Sequence, residues 1–293
     1  MEMKRNSVKN LIGDYKDKLA IHYPVHEIMN ILYLLFEEIM EWPKTRVHLS
    51  YDAEIPEKEW YIFNQFLNGL AGGMPIQYIL GWTLFDGCRI KVNSDVLIPR
   101  PETEELCSVI KSDHSYPSSP CFSILDIGTG SGCIPISLKK FFLTAAITGI
   151  DVSIAAIDLA TLNAMENQCE IEFRQSDIFN DNDCNQLGVF DVIVSNPPYV
   201  LEREKQSMHR NVIDFEPHSA LFVPDKDPLL FYRAIAGFSQ SHLAQNGLLY
   251  LEINEQFGME TSRMVQSFGF EKVEVLCDIH GKNRFVRASS AIH

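Results

Sequence analysis

No CxxC pair occurs in the sequence, and no stretch approaches the ~20 apolar residues that a membrane helix needs. The seven cysteines, at 88, 107, 121, 133, 169, 184 and 277, therefore indicate neither a zinc site nor a disulfide framework, and most are expected to be small buried hydrophobes. The opening MEMKRNSVKNLIGDYKDKLA lacks the apolar centre and cleavage site of a secretory signal, so the chain is expected to stay in the cytoplasm, with no membrane partner. Positive charge is also scarce. There are 25 Lys and Arg against 39 Asp and Glu, a formal net charge of −14. Residues 1–80 hold 8 against 11 and the remainder 17 against 28, so neither part looks like a phosphate-binding surface, and stable nucleic-acid binding is not expected. Internal repeats and low-complexity tracts are missing too.

What is present divides by period. Val8, Leu11, Ile12, Tyr15 and Leu19 recur at helical spacing, VHEIMNILYLLFEEIMEW (25–42) has a wide apolar face, and a third helix begins at Pro56 and stops at Gly72-Gly73. Residues 1–80 thus read as a small N-terminal helical bundle, placed to dock a substrate; the alternative is that these helices extend the main core. Residues 81–100 contain Asp86-Gly87 between two strand-like runs, a hairpin signal. From 101 to 293 strands and helices alternate. FSILDIG (122–128), AAITGID (145–151), EIEFRQSD (170–177), FDVIVS (190–195), GLLYLEI (247–253), KVEVLC (272–277) and RFVRAS (284–289) read as strands, and 101–111, 132–141, 153–167, 228–243 and 255–267 as helices. SDHSYPSSP (112–120) reads as a loop entering the sheet. Continuous apolar strands separated by helices predict a parallel sheet covered on both faces. The last two strands are joined by the short DIHGKN turn, so the final strand is expected to run antiparallel. The fold class is therefore α/β, a seven-stranded, mostly parallel Rossmann-like sheet with an antiparallel last strand.

LDIGTGSGCIPISL places Gly128, Thr129, Gly130, Ser131 and Gly132 between the first strand and a helix, where glycines admit a ligand to the backbone. Cys133 stands where a dinucleotide fingerprint has its third glycine. Asp151 ends the second strand, where its carboxylate can accept both ribose hydroxyls. Asp177 ends the third, suited to an exocyclic adenine N–H, with Ile178 beside the ring. These residues make an adenosine site with no phosphate anchor, since the lysine of GxxxxGK is absent. The bland alternative is that the aspartates are helix caps. Adenosine without phosphates suggests S-adenosylmethionine, with Asp126 available to its ammonium. Residues 101–289 resemble the class I S-adenosylmethionine-dependent methyltransferases.

The fourth strand empties into Ser195-Asn196-Pro197-Pro198-Tyr199. Each proline removes a backbone donor, so this edge is rich in acceptors. Asn196 Oδ1 and the Pro197 carbonyl can each take one hydrogen of an NH2 group, and Tyr199 can pack on the planar group that bears it. The chemistry permitted is methylation of an amide or aromatic amine nitrogen by orientation and polarisation rather than by a strong base. Two acceptors fit: an exocyclic amine of an RNA or DNA base, and a glutamine side chain. The acidic surface favours a protein.

The helical N-terminus followed by PIQYILGWTLFDGCRIKVNSDVLIPRPETEEL, LDIGTGSGC, SNPPY and DFEPHSALF (214–222) resembles the bacterial peptide-chain release factor N5-glutamine methyltransferase family along almost the whole chain. That resemblance implies S-adenosylmethionine as cofactor and the glutamine of a class I release factor's GGQ loop as acceptor, in support of translation termination. It also implies that Gly128 to Gly132, Asp151, Ile178 and Asn196 bind cofactor, and that Asn196, Pro197, Pro198 and Tyr199 hold the glutamine. The family often has tryptophan where Ile178 stands, so apolar packing replaces stacking there. Arg100 and Glu102 are expected either to close the cofactor pocket or to pair with each other. Phe85 is expected in the core rather than in the transfer channel; Glu216 and His218 receive no role.

Overall fold

The computed structural model describes residues 6–114 and 122–290. Residues 115–120 of the expected 112–120 loop, and Cys121, lie outside the described residues. The chain divides into two compact units, one of residues up to Leu80 together with His209–Phe215, the other of Gly81–Met208 and the residues from Glu216 onward.

In the first unit α1 (Val8–Leu19) is capped by the Ser7 hydroxyl and buries Val8, Leu11, Ile12, Tyr15 and Leu19, the five residues whose spacing marked it. Helix α2 (Val25–Met40) ends before Glu41, whose left-handed φ of 55° turns the chain so that Trp42 stacks on Phe36. Three short helices of this unit were not expected: α3 (Lys44–Leu49) after Pro43, α5 (Ile76–Leu80), and one at Arg210–Phe215. Between the first two, α4 (Glu57–Ala71) follows Pro56 and packs Phe63 on Phe36. Burial of each such side chain contributes about 1.5–3 kcal/mol. The unit has its own core.

The second unit opens with a hairpin, β1 (Trp82–Phe85) and β2 (Cys88–Lys91). Asp86 and Gly87 both have positive φ, as a two-residue hairpin turn requires. Helix α6 (Pro101–Asp113) starts on a proline that fits the first turn. Then follow β3 (Ser123–Ile127), α7 (Cys133–Phe141), β4 (Ala146–Asp151), α8 (Ile154–Glu166), β5 (Glu172–Gln175), α9 (Asp181–Cys184) and β6 (Phe190–Ser195). After β6 come β7 (Val200–Leu201), α10 (Arg210–Phe215, in the helical unit), β8 (Phe222–Val223), α11 (Leu230–His242), β9 (Leu243–Glu252), α12 (Gly258–Ser267), β10 (Glu271–Cys277) and β11 (Asn283–Ser289).

Seven of these strands form one sheet in the order β10-β11-β9-β6-β3-β4-β5. Neighbours are parallel except β11, antiparallel to both β9 and β10. The last strand thus runs antiparallel as expected, but it is inserted between two others. The strand expected over 170–177 contracts to β5, a mostly exposed edge. Strand β9 begins at Leu243, four residues before the expected start. Apolar layers cover both faces. Four of the described cysteines are buried, whereas Cys169 is half-buried and Cys277 exposed. Strand order reverses between β3 and β6, and in such sheets ligands bind outside the carboxyl ends at that reversal.

Candidate active site

A cavity lies at that point, and ten of the anticipated site residues line it: Gly128, Thr129, Gly130, Ser131, Asp151, Asp177, Ile178, Asn196, Pro197 and Pro198. Asp126, Gly132 and Tyr199 do not. Gly128 and Gly130 have φ of 74° and 52°, conformations costly for any residue with a Cβ, and open space lies where a Cβ would stand. A ligand can therefore lie directly on this backbone.

Asp151 is held by the loop it faces. One carboxylate oxygen accepts from Gly130 N and the other from Ser153 N, each at 2.9 Å. Burial raises its pKa, and those N–H groups hold it partly down. Each oxygen keeps a lone pair for a ribose hydroxyl. Asp177 accepts from Phe179 N and so also works as a local cap. Ile178 lines the wall with Phe179 and Phe231, whose rings meet edge to face at 5.3 Å, so an aromatic pair stands near the apolar Ile178. Asp126 is fully buried and neither carboxylate oxygen has a hydrogen-bond partner. Burial pushes its pKa to about 7, the adjacent Thr129 hydroxyl offsetting that only in part.

Among the described residues Arg100 is the one cation on the cavity wall, and Glu216 meets it at 2.6 Å. Arg100 does not pair with Glu102, contrary to one of the two expectations. Glu216, left without a role by the sequence, is buried and also accepts from Ile98 N, which fixes the 96–100 segment over the cavity. His218 is exposed and lies edge to face with Phe222. Phe85 is wholly buried in the core and does not line the cavity. The lining carries the carboxylates of Asp95, Asp151 and Asp177 and no lysine. An adenosine cofactor bearing positive charge and no phosphate fits this wall; a pyrophosphate does not.

At the other end of the cavity, Ser195 donates to Ile127 O at 2.6 Å and ties β6 to β3. Asn196 Nδ2 donates to Thr103 Oγ1 at 3.0 Å. Among the described residues its Oδ1 has no partner. Thr103 in turn donates to Glu252 at 2.8 Å, and the Tyr199 hydroxyl donates to the other Glu252 oxygen at 3.0 Å. Burial and the neighbouring Glu252 push Tyr199 well above the ordinary phenol range, so its hydroxyl remains a donor. Thr103 and Glu252 were not anticipated. A glutamate in the apolar run GLLYLEI was the one available signal. Ser195 pairs with Leu251, so Asn196 and Glu252 follow side by side at the carboxyl edge.

Comparison with known proteins bears on the family and the fold. Residues 18–81 match the PrmC N-terminal domain and residues 109–216 the methyltransferase small domain. The chain is 41% identical to the release factor glutamine methyltransferase of Flavobacterium psychrophilum, over 96% of this chain and 99% of that one. It is 39% identical to the protein of the same name from Bacteroides thetaiotaomicron, over 91% and 94%. Among solved structures a methyltransferase from Pyrococcus furiosus is similar at a TM-score of 0.50 and 17% identity, covering 70% of this chain and 90% of that one, a likeness of fold alone.

Proposed function

The chain belongs to the release factor glutamine methyltransferase family, and on that footing we propose that its cavity performs methyl transfer from S-adenosylmethionine to the side-chain amide nitrogen of the glutamine in a class I release factor's GGQ loop. When bound, the cofactor supplies an electrophilic methyl group on its sulfonium. Gly128 to Ser131 and Asp151 would hold it, Asp177 and Ile178 would receive its adenine, and Asp126, buried behind the glycine loop, would serve its ammonium. An amide nitrogen is a weak nucleophile because its lone pair is delocalised, so the protein contributes orientation and polarisation.

The observation that carries this reading is the state of Asn196. One hydrogen of its NH2 goes to Thr103, which sets the amide with Oδ1 left to accept from an incoming NH2 group. The Pro197 carbonyl takes the second hydrogen. Pro197 and Pro198 offer no N–H that would compete as donor. Two acceptors hold an amide NH2 and repel a carboxylate, so glutamate in place of glutamine is rejected. No strong base is needed, since a proton lost after alkylation can leave to water. Residues 1–80 serve to dock the release factor, and residues 81–100 link them to the methyltransferase domain of residues 101–293.

The test incubates the protein and labelled S-adenosylmethionine with a release factor, with its GGQ Gln→Ala variant, and with bulk RNA. Label is expected on the release factor alone and to vanish with the glutamine. Label on RNA, or label indifferent to the glutamine, overturns the proposal.

A further inference from the structure

We propose that Glu252 is a positioning residue for the transfer: through Thr103 it fixes which end of the Asn196 amide faces the cavity, and through the Tyr199 hydroxyl it holds the other end of the same four-residue segment. The inference rests on the reading of Asn196 as the glutamine acceptor.

Glu252 closes β9 and is 1% exposed. Among the described residues no cation pairs with it directly; Arg284, the nearby guanidinium, is engaged with Asp278 at 3.2 Å. Two hydroxyls hold it instead, Thr103 from the first turn of α6 and Tyr199 from the segment after β6. The donors and acceptors then have one arrangement. An ionised carboxylate only accepts, and a threonine hydroxyl has a single hydrogen. Thr103 spends that hydrogen on Glu252, so toward Asn196 it can only accept. Asn196 must therefore present Nδ2 to it and turn Oδ1 outward. If Glu252 accepts no longer, Thr103 is free to donate to Oδ1, the amide turns over, and its NH2 meets the substrate's NH2 donor to donor.

A buried carboxylate is a costly way to stabilise a fold, and apolar residues of similar volume often serve as well. Here one of its bonds leads through Thr103 to Asn196, and the other ends on Tyr199, three residues further along the same segment. The titration of Glu252 agrees with this. Burial pushes its pKa to about 7, and the two hydroxyl bonds hold it down only in part. The other groups that face it are Arg284 from β11, Glu102 from α6, Tyr232 from α11 and Cys133 from α7. Protonated Glu252 can donate to Thr103 and reverse the relay. Turnover with saturating cofactor should therefore fall as the pH drops through about 7.

The experiment compares wild type, Glu252→Gln, Thr103→Val and Thr103→Ser on an unmodified release factor, with cofactor affinity and thermal midpoint measured for each. Glu252→Gln and Thr103→Val are expected to lower kcat about 10- to 100-fold, within the range for loss of a preorganised polar contact, with cofactor affinity within about threefold of wild type. Glu252→Gln also loses the acid limb of the pH profile, and Thr103→Ser, which keeps the hydroxyl, restores kcat to within about threefold. An unchanged kcat and acid limb in Glu252→Gln overturns the proposal. An inactive wild type would instead count against the functional reading on which it rests. Should the variants not fold, selectively 15N-labelled asparagine in wild type decides the matter. The Asn196 side-chain amide resonance is expected to titrate with a midpoint of about 7. A resonance that does not move across that range overturns the assignment.

Discussion

Asn196 and Asp126 are the residues whose environments make the sharpest demands. In the proposed mechanism, removing the Asn196 side chain deletes one of two acceptors for the reacting NH2 and leaves Asp151 and the glycine loop as they are. Asn196→Ala is expected to lower single-turnover rate about 100-fold while calorimetric cofactor affinity changes severalfold at most. Asp126 makes its demand through pH. Its carboxyl, like that of Glu252, has a folded pKa of about 7, above the unfolded value. Between about pH 4 and 7 the folded state therefore binds more protons than the unfolded one, so stability is full below that range and falls as pH rises through it. Denaturant melts of the free protein should show that loss, and Asp126→Asn should reduce it, gaining roughly 1–3 kcal/mol at pH 8 by removing an unpartnered buried charge. Residues of this kind were legible in the sequence where they sit in a contiguous run, as Asn196 to Tyr199 and Gly128 to Gly132 do. Thr103 and Glu252 were not, because they meet across 149 positions. Glu216 reads as an ordinary loop acid until folding brings Ile98 and Arg100 to it from 118 and 116 positions away.

Among elements, the buried parallel strands were the most legible, since a strand covered on both faces is a continuous apolar run bounded by polar turns. Strand β5 was overestimated because its pattern continues past the point where a neighbour exists on one side only. The short helices α3 and α5, and the pair β7 and β8, have too few residues for any period to emerge. The joint between β2, α8 and the glycine loop has no signal in the sequence either. There the buried Asn163 side chain accepts from Lys91 N and donates to Lys91 O and Ser131 O at 2.8, 3.0 and 2.9 Å. It fastens hairpin and loop to one helix. Asn163→Ala leaves three backbone groups without their partner and is expected to cost about 2–4 kcal/mol in denaturant melts. It should also weaken cofactor binding by about tenfold in calorimetry, as the Ser131 turn loosens, because 1.4 kcal/mol of lost preorganisation suffices. A variant that melts like wild type would remove the joint from the account.

At the scale of the whole molecule the described residues form three apolar clusters, one in the helical unit and one on each face of the sheet, and the residues proposed to hold the cofactor all belong to the sheet unit. Scanning calorimetry is expected to show saturating S-adenosylmethionine raising the melting of the sheet unit, by about 2.7 kcal/mol at a hundredfold excess over Kd. Tyr15→Phe, which deletes the 2.7 Å hydrogen bond to Phe63 O, should lower the melting of the helical unit by about 1 kcal/mol and leave that cofactor effect intact. The helical unit is also discontinuous. After the SNPPY edge the chain supplies His209–Phe215 to it, with the Phe215 ring beside Gly73, and then returns to the sheet unit at Glu216, the residue that braces Arg100. A single genetic crossover near residue 80 can replace the long stretch of this unit but not the short one. Such a hybrid would carry Phe215 into a foreign helical surface, while the residue next to it still has to reach Arg100. The two units are thus interleaved in the chain, and exchanging residues 1–80 alone is expected to lower the melting of the helical unit unless His209–Phe215 is exchanged with them.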